Sequence, residues 1–153
     1  MKKPKLKFAS IVALILVFCL YFHHYLFFLV VSGESMEPTF YNGKLLLFSK
    51  NTRNIKTGDI VAFSRNGELY IKRVTGSPGD VYFSNQRDPK NYLIFDKTKP
   101  HSIAILKKYY QVNVLARDSF YVEGDNKLHT TDSNSFGPIK RSQINGRATC
   151  IIK

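Results

Sequence analysis

The chain has 153 residues, 44% of them hydrophobic and only six of them proline, which suits one folded domain plus an appendage and excludes a disordered polymer. Lys and Arg number 23 against 11 acidic residues, a net +12, so the surface is basic and anionic lipid or nucleic acid are the partners to weigh. No basic run with interleaved aromatics follows residue 7, which argues against nucleic acid, and Cys19 and Cys150 stand too far apart for a metal-ligand spacing.

"MKKPKLK" opens the chain with Lys2, Lys3, Lys5 and Lys7, and residues 8–31 then carry no charge. A spanning helix needs about 20 apolar residues, and this run supplies them. A cleaved signal peptide would have an apolar region of about 7–15 residues before a small-residue site. This run is longer and is closed by aromatics, so a retained anchor is expected. Tyr21 and Tyr25, four apart, share one helix face, as interfacial belt residues do. Four lysines precede the run and only Lys44 and Lys50 fall within 32–50, which predicts a cytoplasmic N-terminus. The expected organisation is a basic cytoplasmic tail (1–7), a single transmembrane anchor (8–31) and an extracytoplasmic domain (32–153), in an inner or plasma membrane. The tail lysines would lie against anionic headgroups, making the lipid bilayer a partner. His23 and His24 read as tolerated polar residues or contacts to a partner helix.

Beyond residue 32 the periodicity is that of short strands separated by turn residues. "KLLLFSK" (44–50), "DIVAFS" (59–64), "ELYIKRVTG" (68–76), "DVYFSN" (80–85), "YLIF" (92–95), "QVNVLA" (111–116), "SFYVEG" (119–124) and "GRATCIIK" (146–153) all qualify. "YNG", "TGD", "RNGE", "SPGD", "GDN" and "FGP" punctuate them. The fold class is therefore mainly β: an all-β domain of antiparallel sheets, barrel-like because closure hides edges. Residues 86–110 are the least patterned and read as a small flap or hairpin insertion.

Four polar patches could carry chemistry: "SGESMEPTF", "TGDIVAF", "YIKRVTGSPGD" and "VEGDNKLHTTDSNSFGPI". A nucleophilic serine needs a base. A Ser35–His129–Asp132 set is conceivable, but a triad aspartate must hold the far side of the imidazole, and two residues so close on one loop rarely do so. His101 has no evident partner. The other candidate base is Lys72, inside "LYIKRV". An ordinary lysine, with a pKa of about 10.4, is protonated at neutral pH. Buried against apolar side chains it loses hydration, and its pKa can fall by several units. Spacing leaves the direction of Lys72 open, because it shares a strand face with Val74 while Leu69, Ile71 and Arg73 share the other.

On these residues the chain resembles the type I signal peptidases, membrane-anchored Ser/Lys endopeptidases that remove signal peptides from exported proteins. "SGESMEPTF" resembles the family's nucleophile box, an S-M-x-P-T core, and "GDIVAF" the short strand motif that follows. "IKRVTGSPGD" resembles the lysine box, and "GDNKLHTTDSNSFG" the G-D-N-x-x-x-S-x-D-S-R-x-x-G box. All four stand in the family's order and bracket nearly the whole domain after the anchor.

The resemblance implies Ser35 as nucleophile and Lys72, turned inward and neutral, as general base, with no metal and no cofactor. Thr130 falls on the family's serine that hydrogen-bonds the lysine. Asp125, Asp132 and Ser133 fall on the supporting box, and Arg73 beside the base. The motif's arginine is Asn134 here, so an Arg73–Asp132 pair is expected to carry its ionic role. Some members have a serine two residues before the nucleophile that helps bind the oxyanion. Here that residue is Gly33, which leaves the backbone N–H of Ser35, helped by Gly33, to form the oxyanion hole. Met36 is expected to dip toward lipid. The implied substrate is a preprotein signal peptide with small residues first and third before the cut, and "KLLLFSK" and "DVYFSN" are candidate walls for it. Two alternatives stay open: a specialised processing peptidase of pilin, conjugation-factor or organellar type, or an inactive anchored peptide-binding module. The oligomeric state is left open.

Overall fold

The computed structural model of the chain describes residues 4–88, 90–95 and 109–151. Helix α1 spans Pro4–Tyr25. Its stretch Phe8–Tyr25 has a mean hydropathy of 1.9 over 18 residues, none of it buried inside the protein. At about 1.5 Å per residue that stretch rises about 27 Å, close to the roughly 30 Å hydrocarbon core of a bilayer. Such a bare apolar helix fits a membrane-anchored protein.

The expected anchor, residues 8–31, is too long by about six residues. The helix stops at Tyr25, and Leu26–Val30 form strand β1, antiparallel to β2 (Leu45–Ser49) from Leu26↔Ser49 to Val30↔Leu45. Phe27 and Leu29 pack on the core beside Leu46 and Phe48, while Phe28 and Val30 are exposed. Phe27 stacks on Phe48 with ring centroids 5.4 Å apart. An uninterrupted apolar run hides this change from period 3.6 to period 2, since helix and strand read alike when every position is apolar.

The remaining strands are β3 (Ile60–Arg65), β4 (Glu68–Gly76), β5 (Val81–Asn85), β6 (Tyr92–Ile94), β7 (Tyr110–Val114), β8 (Ser119–Glu123), β9 (Ile139–Lys140) and β10 (Ile144–Ile151). Helix α2 is a single turn, Ser133–Phe136. Seven strands form an antiparallel sheet in the order β1-β2-β10-β3-β4-β8-β9, and β6-β5-β7 form a smaller one. Asn66 and Gly67, both at positive φ, make the tight turn of the β3–β4 hairpin, as the "NG" pair predicts. In the expected flap, the described residues supply β6 and the start of β7, both paired with β5. Residues 89 and 96–108, with His101, lie outside the described residues.

Two apolar clusters stabilise the main sheet. One gathers Ile55, Val61, Phe63, Val74, Phe120, Val122, Ile139 and Ile144; the other gathers Val31, Met36, Phe40, Leu46, Phe48 and Ala62. The sheet is not a closed barrel. Among the described residues β1 lies at its edge, and β4 pairs with β8 only from Arg73 onward, leaving 68–72 without a partner on that side. These two free edges bound the site.

Candidate active site

Ser35 lies in the turn that follows β1. Main-chain bonds from Val31 N–H to Lys44 (2.8 Å) and from Phe40 N–H to Met36 (2.9 Å) fasten that turn at both ends. Met36, only 1% exposed, is pinned in the core rather than turned to lipid as expected, so it anchors the turn from below. Asn126 clamps the turn from the other side. Its backbone N–H donates to the Ser35 carbonyl at 3.0 Å and its side-chain amide to the Glu34 carbonyl at 3.2 Å. Sequence reasoning passed over Asn126, although it is the third letter of the "GDN" box.

Lys72 projects from β4 on the same buried side as Val74 and is 4% exposed. Its Nζ lies 2.6 Å from Ser35 Oγ, bridging 37 residues of sequence. Burial pushes the Lys72 ammonium below the ordinary lysine range, against the opposing pull of the Asp132 and Asp125 carboxylates. Tyr70, two residues earlier, presents its ring 6.0 Å below Nζ and rests on Phe63. His129 is exposed and its side chain bonds neither Ser35 nor Asp132. The histidine alternative therefore lacks the required geometry.

The supporting residues differ from expectation in three ways. Arg73 pairs with Asp125, not Asp132. Its guanidinium makes a two-pronged contact of 2.8 and 2.7 Å and also donates to the Gly58 carbonyl. Burial would lift the Asp125 carboxyl, but bonds from Arg73 and Thr39 outweigh it and hold the group below its ordinary range. Asp132, 1% exposed, is instead satisfied by the N–H groups of Gly124 and Asn134 and by the Asn134 amide, each at 3.0 Å. Asn134, standing where the motif has arginine, thus replaces an ion pair by neutral bonds. Its amide also donates to Glu123 at 2.8 Å, and its carbonyl accepts from the Tyr121 hydroxyl at 2.9 Å.

The second difference is Thr130, whose hydroxyl is buried with no hydrogen-bond partner among the described residues and so does not bond Lys72. It sits under Gly124, where a Cβ would run into Thr130 and lie 2.6 Å from the Ser35 carbonyl. The third is Gly33. Its N–H donates to Asn42 Oδ1 at 3.1 Å, so it is committed elsewhere and not aimed at an oxyanion. The Ser35 N–H has no acceptor among the described residues. The buried Ser133 hydroxyl accepts from Val122 N–H at 2.9 Å.

A cleft of about 510 Å³ opens beside Ser35 and Lys72, walled by residues 29–32 on one side and 68–71 on the other. Its walls are thus the two free strand edges, and not β2 or β5 as the sequence suggested. Long-range sheet curvature brings these edges together, and no local signal in either strand announces it. Among the described residues, no group of three His, Cys, Asp or Glu side chains could hold a metal.

A serine hydroxyl at hydrogen-bonding distance from a buried lysine amine, beside an open strand edge, has the form of a serine hydrolase site for extended peptides. Comparison with known proteins gives the family. The family model for signal peptidase, peptidase S26, matches residues 5–153. A signal peptidase I of Bacillus amyloliquefaciens is 29% identical over 166 residues, spanning 99% of this chain and 89% of the relative. Signal peptidase I P of Bacillus subtilis subsp. natto is 34% identical over 159 residues, spanning 90% and 82%. A crystal structure of a signal peptidase I from Enterococcus faecalis superposes with a TM-score of 0.43 at 22% identity, covering 66% of this chain and 98% of that one. The chain belongs to the signal peptidase, peptidase S26, family. It is a hydrolase of the signal peptidase I type.

Proposed function

We propose that the chain is a Ser/Lys endopeptidase that cleaves N-terminal signal peptides from exported preproteins at the outer face of the membrane. The observation that carries this reading is the 2.6 Å approach of Lys72 Nζ to Ser35 Oγ, with Lys72 buried and its pKa depressed. Neutral Lys72 accepts the Ser35 hydroxyl proton as Oγ attacks the scissile carbonyl carbon, forming a C–O bond and an oxyanion. The Ser35 N–H, free of other acceptors, is the backbone donor for that oxyanion. As the C–N bond breaks, the Lys72 ammonium returns the proton to the leaving amine. Water, deprotonated by Lys72, then hydrolyses the acyl-enzyme and regenerates Ser35.

The substrate lies in the cleft as an added strand between the edges of β1 and β4. Those two strands run parallel to one another, β1 leading from the end of α1 toward Ser35 and β4 from Glu68 toward Lys72. A signal peptide whose N-terminal part stays in the bilayer runs outward in the same sense as β1 and brings its cleavage site to the serine. Alternate side chains of an extended peptide share one face, which accords with small residues first and third before the cut. Asp125, Arg73, Asp132 and Ser133 are positioning residues, and Thr130 packs beneath the nucleophile. The lysines at 2, 3, 5 and 7 keep the tail cytoplasmic, residues 8–25 cross the bilayer, and the domain from β1 onward is extracytoplasmic.

The test is preprotein cleavage by the full chain in detergent, beside Ser35→Ala, Lys72→Ala and His129→Ala. Ser35→Ala and Lys72→Ala are expected to be inactive and His129→Ala to match the parent. Cleavage by either of the first two at the parent rate overturns the dyad.

A further inference from the structure

A second cavity, of about 590 Å³, lies where α1 meets the β domain, lined by His24, Tyr25, Lys50, Asn51, Thr52 and Arg53. We propose that it binds the phosphate of an anionic phospholipid headgroup in the leaflet facing the β domain. The proposal requires only the anchor and is independent of the peptidase chemistry.

The site's depth follows from the helix. Tyr25 ends a stretch long enough to cross the hydrocarbon core, so a cavity lined by His24 and Tyr25 sits at headgroup level. Its charge follows from the tertiary fold. Lys50 and Arg53 are more than 20 residues beyond the helix in sequence, yet the β1–β2 pairing carries them back to its end. Among the described residues, no acidic side chain lines the cavity. The two nearby ion pairs, Asp59–Arg147 and Asp118–Arg141, already occupy their carboxylates.

The loop is held in place rather than merely exposed. Arg141 donates to the carbonyls of Thr52 and Arg53, Asn51 N–H donates to Ser49 Oγ at 3.2 Å, and Arg53 N–H to Asn51 Oδ1 at 3.2 Å. Lys50 N–H donates to the Tyr25 carbonyl at 2.8 Å, and its Nζ to the His23 carbonyl at 2.7 Å. That second bond offsets the negative end of the helix dipole, which would otherwise repel an anion, and leaves two ammonium N–H groups to donate. The Arg53 side chain makes no hydrogen bond or ion pair among the described residues, so its planar fork is free for two phosphate oxygens. The source of the phosphate follows from the helix that leads into the cavity. The apolar side chains of Phe8–Tyr25 are unburied, a surface for acyl chains that a free phosphate does not use.

The experiment is native mass spectrometry of the full chain in detergent, titrated with phosphatidylglycerol, with phosphatidylcholine and with inorganic phosphate. One phosphatidylglycerol is expected to bind at least about tenfold more tightly than phosphatidylcholine, and inorganic phosphate at the same concentration is expected not to displace it. Removing one cation near an anionic headgroup costs about fivefold, so Arg53→Gln should weaken binding about fivefold and Arg53→Gln/Lys50→Gln about 25-fold. Lys127→Gln, on the loop after β8, should change nothing. Arg53→Gln loses no partner among the described residues, and its melting curve should overlay the parent's. If it does not fold, Arg53→Lys keeps the charge without the fork and should still bind measurably more weakly. Equal affinity for the two lipids, no loss in the Arg53 variants, an equal loss in Lys127→Gln, or full displacement by inorganic phosphate would each overturn the proposal.

Discussion

Gly124→Ala tests whether the loop after β8 sets the position of the nucleophile. A Cβ at residue 124 would stand 2.6 Å from the Ser35 carbonyl oxygen, where ordinary contact begins at 3.4 Å. The Ser35 turn must therefore retreat by about 0.8 Å, while Lys72 stays fixed in a paired strand with a buried side chain. The Oγ–Nζ separation, 2.6 Å in the parent, then opens beyond the roughly 3.2 Å limit of a working hydrogen bond. A misplacement near 1 Å costs about 100-fold in rate, equivalent to about 2.7 kcal/mol of barrier. Overpacking itself costs about 1–3 kcal/mol of stability. Preprotein cleavage and thermal melting, measured together, separate the two effects. The same Cβ would also lie 2.6 Å from Thr130 Cβ, so Gly124→Ala/Thr130→Gly should recover stability but not activity. Gly124→Ala cleaving within threefold of the parent would refute the clash. Recovery of activity in the double variant would place the obstruction at Thr130 instead of at the nucleophile.

Three further outcomes are expected. Because burial depresses Lys72, the acid limb of the kcat/KM profile should fall below the ordinary lysine value, activity rising as Lys72 loses its proton. Asp125→Asn removes a carboxylate that raises Lys72, so the limb should move to lower pH; an unmoved or rising limb contradicts the assignment. The unfolded chain holds the Lys72 proton up to about 10.5 and the folded chain loses it earlier, so stability gains from this group as pH rises through that window. Lys72→Met should abolish that component of the pH-dependent melting temperature. Asn134→Ala should leave Tyr121 Oη, Glu123 and Asp132 each short of a bond. Burial already holds the Tyr121 phenol well above its usual range, so it remains a donor without an acceptor. A loss of about 2–3 kcal/mol is expected, about 10 °C in melting temperature for a domain of this size. A shift under 2 °C by differential scanning fluorimetry would show that the network is not needed.

Much of this protein was legible without coordinates, because the relevant physics is local. Alternation along "ELYIKRVTG" predicts a strand over 68–76, and β4 spans those residues. The "NG" turn, the apolar run and the four ordered boxes likewise depend on neighbours in sequence. Asn126 was also within reach, as the letter after Asp125 in a box already singled out, yet its clamp on Ser35 becomes visible only once the two loops meet.

What the tertiary structure decided involves residues distant in the chain. The end of the helix at Tyr25 depends on β2 being there to pair with Leu26–Val30, since an apolar run is compatible with helix and strand alike. The inward turn of Lys72, which period-two spacing left open, depends on which face of β4 the curled sheet closes over. The choice of Arg73 for Asp125 over Asp132 depends on the loop after β8. The gathering of Lys50 and Arg53 beneath α1 depends on strand pairing. Sequence alone determined which chemistry the residues could perform. Long-range pairing alone determined which of them meet, because an interaction across 37 residues leaves no imprint on either neighbourhood.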